Sequence, residues 1–237
     1  MFFTKNPGRS AGLLYLIASI PGVFALIYVP NKVIVHGNAT ATINNIATFE
    51  TLFRLGIAAE FISQALFIFV VLALYDLFRG VNQRRAMLMV ILIAVSIPIA
   101  FLNELNAIAA LVLVHGADFL SAFDKPRRDA LAALFVRLHG HGFDVAAIFW
   151  GLWLFPLGLL VYRSGFLPRI LGVLLIAHGF TYLINSLTSF VLPQYEDVVS
   201  RWMQPFSFGE LLFMFWILIM GANPKPSRDP ASAAGVG

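Results

Sequence analysis

Glu60, Glu104, His178 and Glu210 stand inside long apolar stretches of this chain, where an ionisable side chain is costly to place. On insertion scales that cost is roughly 2.5–3.5 kcal/mol at the centre of a membrane helix. Such residues mark ion, proton or ligand sites by default; the plain alternative is a polar contact between helices. Glu60 has Gly56 at i−4, Ser63 at i+3 and Gln64 at i+4, which puts small and polar groups on one helical stripe. Glu104 shares its face with Ala100 and Ala107, while Asn103 and Asn106 lie one turn apart on the adjacent face. A longer stripe runs from His178 through Thr181, Tyr182 and Asn185 to Ser189. Arg54 can pair with Glu50 at i−4, or with Glu60 or Glu210 across a bundle. Together Arg54, Glu60, Asn103, Glu104, Asn106, His178, Asn185 and Glu210 are the expected lining of a polar cavity suited to a small molecule or a lipid headgroup.

Two other chemistries could use the same histidines. His141 and Asp144 are spaced i,i+3, and with His178 from another helix they form a candidate zinc set for an intramembrane hydrolase. Against it, the chain has no His-x-x-x-His pair, and His139 and His141 point roughly 200° apart on a helix of 3.6 residues per turn. Haem held by His178 and a second histidine is the other possibility. No cofactor is required by the pattern. A Gly-x-Ser-x-Gly elbow, a P-loop and a Gly-x-Gly-x-x-Gly turn are all absent, which removes the common serine-hydrolase and nucleotide-binding signatures.

The elements that must position these groups follow from composition. Of 237 residues, 59% are hydrophobic and 12% charged, far from the roughly 25% charged of a soluble domain. About 20 apolar residues in a helix cross the hydrocarbon of a bilayer. Six segments approach that length, at about 11–29, 55–78, 86–113, 143–163, 169–192 and 205–222. The expected fold is all-α: an integral membrane bundle of six transmembrane helices forming one domain over 1–222. Charge alternates with an apolar face of Leu131, Leu134, Phe135 and Leu138, which predicts a short amphipathic helix on the membrane surface. Residues 223–237, rich in Pro, Ala, Gly and Ser, are expected to be a disordered cytoplasmic tail.

Counting Lys and Arg by side places both termini in the cytoplasm, because Arg9, Arg79, Arg84, Arg85, Arg163 and Arg169 sit directly at helix ends. The polar lining then falls toward the outer half. Lys5 and Arg9 precede the first apolar segment as they would a signal sequence, but 19 apolar residues exceed the usual 7–15, so a retained span is expected. The net charge of +4 fits loop asymmetry and not nucleic-acid binding, since no basic run alternates with exposed aromatics. The lipid bilayer is the one partner implied, with a small-molecule or lipid ligand as the second. The tryptophans and the 23 phenylalanines fit packing and interfacial anchoring.

Several runs carry a likeness. They include Arg9-Ser-Ala-Gly-Leu-Leu-Tyr-Leu, Asn44-Asn45-Ile, Leu52-Phe-Arg54-Leu-Gly-Ile, Ala73-Leu-Tyr75 and Val81-Asn82 in the first half. In the second half stand Phe149-Trp-Gly151-Leu, Leu167-Pro-Arg-Ile-Leu-Gly172-Val-Leu-Leu, Tyr182-Leu-Ile-Asn185 and Gly209-Glu210-Leu-Leu-Phe-Met-Phe-Trp216. Together they resemble the bacterial family of multi-spanning membrane proteins catalogued as domain of unknown function 4386. The resemblance implies a multi-pass protein of the bacterial cytoplasmic (inner) membrane and carries over no activity, cofactor or catalytic residue.

Overall fold

A computed structural model describes residues 6–224, and among them no β-strand occurs. The expected tail at 223–237 lies almost wholly outside the described residues. Asn6 caps the first helix by accepting the Arg9 N–H, and Pro7 fills N1, where its missing N–H costs nothing. From there α1 runs Pro7–Val33, with a π turn at Phe24–Tyr28. A short α2, Ala39–Thr48, follows under an Asn38 cap. Then come α3, Glu50–Phe78, and α4, Gln83–His115, the latter capped by Asn82 and ended by Gly116 in the left-handed region. Asp124 caps α5, Lys125–Arg163; α6 spans Arg169–Val191, α7 Glu196–Met203 and α8 Gly209–Ile219.

Six helical stretches are long and apolar enough to cross a membrane: Pro7–Val33, Glu50–Phe78, Gln83–His115, Lys125–Arg163, Arg169–Val191 and Pro193–Ile219. Large apolar side chains such as Ile20, Leu102 and Ile170 point outward and are more than half exposed. A lipid-facing surface has that character, whereas a soluble protein rarely shows contiguous apolar patches of such extent.

Two details differ from the sequence expectation. The segment at 127–138 is helical, but it is the opening of the 39-residue α5 and not a separate element. No proline interrupts the chain between its N-terminal Pro126 and Pro156, so the helix has no reason to stop at the interface. An amphipathic helix does lie elsewhere: α7 has no buried residue, and Val198 and Trp202 are exposed on it. The sixth stretch is also broken. Gln204–Phe206 forms a 3-10 turn, and α8 begins only at Gly209, giving 11 residues of regular α-helix, or about 16 Å. Pro205, inside that turn, has no N–H with which to continue the helix from α7.

Glycines set the closest helix contacts. A Cβ on Gly151 would lie 2.8 Å from the Gly179 carbonyl oxygen, and one on Gly172 would lie 2.5 Å from that of Gly158. Two glycine pairs one heptad apart therefore press α5 backbone to backbone against α6, as small residues do where helices have only packing to hold them.

Apolar packing forms two separate clusters. One gathers Ala11, Leu74, Phe78, Met89, Trp153, Leu157 and Phe213; the other gathers Val33, Ile46, Phe53, Leu111 and Ala132. Along α3 the order is Phe53, then Glu60, Ser63 and Gln64, then Val70 to Phe78; along α4 it reverses, with Asn103 and Glu104 between Ile93 and Ala107. A polar layer thus crosses the bundle between two apolar ends.

Candidate functional site

The polar layer holds two cavities. The larger, about 290 Å³, lies among α1, α3, α5, α6 and the start of α8. Gly209 permits it: a Cβ there would sit 2.3 Å from the Leu174 carbonyl oxygen, so α8 rests directly on the α6 backbone. That approach brings the Glu210 N–H to His178 Nδ1 at 3.3 Å, with Glu210 Oε2 3.6 Å from the same nitrogen. Because Nδ1 accepts the backbone N–H, the arrangement fits a neutral ring carrying its proton on Nε2. The His178 ring stacks on Tyr182, with centroids 4.8 Å apart.

Glu210 receives a phenol: the Tyr15 hydroxyl donates to Oε1. Tyr182 lines the same cavity beside it. Around them the rings form two groups: Tyr15 packs edge-on against Phe67 at 5.3 Å and Phe67 against Trp153 at 5.5 Å, while Trp150 packs edge-on against Tyr182 at 6.2 Å. Gln64, Ser63, Ser19 and Ser207 add polar atoms to the lining. Ser207 stands in the break before α8, so irregular backbone borders the cavity there.

The smaller cavity, about 40 Å³, is lined by Glu60, Glu104 and His139. Glu104 Oε1 lies 3.0 Å from His139 Nε2, and Gln64 Nε2 donates to Glu60 Oε1 at 2.8 Å. Glu60 and Glu104 are 2% and 1% exposed, within the range of the apolar core. Asn103 donates from Nδ2 to the His139 carbonyl at 2.9 Å and accepts from Asn106 at 3.1 Å. Gly142 makes room, since a Cβ there would collide with the Asn103 carboxamide.

The eight expected lining residues therefore divide. His178 and Glu210 meet in the larger cavity; Glu60 and Glu104 meet in the smaller one, with Asn103 and Asn106 bracing the α4–α5 contact beside it. Arg54 lies apart: it pairs with Glu50 at 2.6 Å on the exposed side of α3, where His115 also reaches Glu50 at 2.8 Å. Asn185 lines neither cavity, and its buried Oδ1 has no partner.

His141, Asp144 and His178 fall into separate places. His141 lies 3.4 Å from Asp144, whose Oδ2 accepts the Ser189 hydroxyl at 2.7 Å, whereas His178 belongs to Glu210. Among the described residues no three His, Asp or Glu side chains are grouped to hold a metal ion. Sequence reasoning missed Tyr15, Trp150 and Trp153, which read as packing residues in apolar runs, and it passed over His139 in favour of His141.

These features define a class before they define a family: an all-α bundle of six membrane-capable helices, with buried carboxylates gathered in a central polar layer. The chain belongs to the family described as domain of unknown function (DUF4386), whose pattern it matches over residues 10–221. It is also similar to an uncharacterised protein of Archaeoglobus fulgidus, 34% identical over 152 residues, which cover 64% of this chain and 75% of that one. No solved structure matches.

Proposed function

We propose that the protein binds, and in its membrane can move, a small amphipathic molecule whose amine or ammonium head lies against Glu210. The observation that carries this reading is the conjunction of a carboxyl group and five aromatic side chains, Tyr15, Phe67, Trp150, Trp153 and Tyr182, in the lining of one cavity. Ring faces attract cations through their quadrupole, by about 0.5–2 kcal/mol each depending on desolvation, and a carboxylate adds charge complementarity. The volume, about 290 Å³, is at the small end of ligand pockets and suits a head with a short apolar tail. Tails of that kind match the apolar side chains Val23, Leu26 and Ile27 along the same opening.

The proposed setting is the bacterial cytoplasmic membrane with both termini inside. Arg9 donates to the Ile219 carbonyl at 3.1 Å, so the start of α1 and the end of α8 share one end of the bundle. Arg79, Arg84, Arg85, Arg163 and Arg169 belong to that same end by helix alternation. The positive-inside rule assigns it to the cytoplasm. The break before α8, and with it Ser207, then faces outward.

The test is a thermal-shift panel on the purified protein in detergent, comparing short alkylamines and tetraalkylammonium ions with alcohols of equal size. Stabilisation by the cationic members, absent for the alcohols and lost in Glu210→Gln, is expected. A panel in which alcohols and amines act alike contradicts the proposal.

A further inference from the structure

The smaller cavity presents a problem of charge and hydrogen bonding. Glu60 is 2% exposed, and its Oε1 accepts from Gln64, but the buried Oε2 has no hydrogen-bond partner. Protonating Oε2 does not solve this, because the new O–H would face the same lack of an acceptor. A buried polar atom left unpaired carries an uncompensated desolvation cost, larger when it is charged. Neighbouring Glu104 is 1% exposed and has His139 Nε2 as its partner at 3.0 Å. Glu60 is then left with one free oxygen beside a void of about 40 Å³, and when ionised it carries a negative charge that no side chain there balances. That volume admits one or two particles the size of a water molecule.

The backbone of α1 supplies a second, independent peculiarity at the same place. In the π turn the Val29 N–H bonds to the Phe24 carbonyl, one residue earlier than in an α-helix. The Ala25 carbonyl thereby loses its ordinary donor, and the next candidate, Pro30, has no N–H to give. Ala25 and Pro30 both line the small cavity. Freed carbonyls at irregular turns of membrane helices are a common way to coordinate Na⁺. Hard cations take oxygen ligands, and the residues around this cavity carry them: two carboxylates, and Ala25 with its released carbonyl.

We propose that the small cavity is a sodium-ion site, with Glu60 Oε2 as its anionic ligand, Glu104 as the neighbouring carboxylate and the Ala25 carbonyl as a neutral oxygen. A single positive charge is what the balance requires: the Glu104–His139 pair is neutral in itself, and Na⁺ neutralises Glu60. A divalent ion would leave an excess positive charge in a low-dielectric interior. The site stands independently of the ligand reading given for the larger cavity. Gln64 nevertheless belongs to both, since it lines the larger cavity and donates to Glu60. Occupation of one is therefore felt by a side chain of the other.

The experiment measures the unfolding temperature of the full-length protein in detergent at constant ionic strength, replacing choline chloride stepwise by NaCl or KCl. A saturable rise in Tm with Na⁺ that K⁺ does not reproduce is expected, together with its loss in Glu60→Gln and its retention in Glu50→Gln, which alters a half-buried carboxylate outside the cavity. Equal Tm values in Na⁺, K⁺ and choline overturn the proposal, whatever the variants do. So does a Na⁺ response that survives in Glu60→Gln. If Glu60→Gln does not fold, binding of radioactive sodium to the wild-type protein decides: saturable uptake near one ion per chain supports the site, and none overturns it. A response to pH without any response to Na⁺ assigns the cavity to a proton and also overturns it.

Discussion

Replacing Gly209 by alanine perturbs the contact that holds Glu210 against His178. The new Cβ would stand 2.3 Å from the Leu174 carbonyl oxygen, 2.7 Å from its carbon and 3.1 Å from His178 Cβ. Ordinary C···O contacts are about 3.3–3.6 Å, so α8 and α6 must separate by roughly 1 Å, and the first obstacle is backbone that cannot rotate away. Overpacking of this kind costs about 1–3 kcal/mol. The Glu210 N–H to His178 bond, already 3.3 Å long, would be lost as well. That adds about 0.5–1.5 kcal/mol. The sum, about 2–4 kcal/mol, corresponds to a fall in Tm of roughly 5–15 °C at about 2–4 °C per kcal/mol for a chain of this size. Thermal unfolding in detergent measures it, with Gly140→Ala as the reference. Gly140 sits in α5 with nothing within 4 Å of its would-be Cβ, so alanine there should raise stability by about 0.5–1 kcal/mol. Equal Tm values for the two variants would refute the claim that α8 rests on α6 at Gly209.

Three further outcomes follow from the packing. Gly142→Ala should destabilise by about 1–3 kcal/mol by forcing the Asn103 carboxamide off the His139 carbonyl, and Asn103→Ala combined with it should recover part of the loss in a double-mutant cycle. Trp153→Ala, at a side chain 1% exposed, should cost about 3–5 kcal/mol and enlarge the main cavity, read as a lower Tm and increased binding of an apolar dye. Tyr15→Phe removes a donor from Glu210 while keeping the ring; a loss of about 1–3 kcal/mol with unchanged helix content by circular dichroism is expected.

The six membrane-capable stretches were readable because hydropathy over 20 residues is a strong one-dimensional signal, and Glu60, Glu104, His178 and Glu210 stood out by interrupting it. Which of them meet was not readable. His139 and His141 lie on opposite faces of one helix, and only the register of α5 against α4, set by Gly142 and Asn103, selects His139 as the partner of Glu104. Local spacing favoured the His141–Asp144 pair, which does form but stands outside both cavities. Arg54 found its acid four residues earlier on its own helix, a nearer partner than any across the bundle. Tyr15 carried no signal at all: in an apolar run a tyrosine reads as packing until the helix bearing Glu210 is brought beside it. The break at Gln204–Phe206 was foreshadowed by Pro205, but hydropathy averages over such a turn and shows one continuous span.

The proposed outward-facing cavity beside the broken sixth stretch is open to single-cysteine labelling, because the chain contains no cysteine. Ser207→Cys places a thiol on the cavity lining, and Ser164→Cys places one in the turn between α5 and α6 at the opposite end. In intact cells a membrane-impermeant maleimide should label Ser207→Cys but not Ser164→Cys, with labelling of Ser207→Cys slowed by a stabilising alkylamine. Labelling of Ser164→Cys alone would put the cavity on the cytoplasmic side and contradict the account.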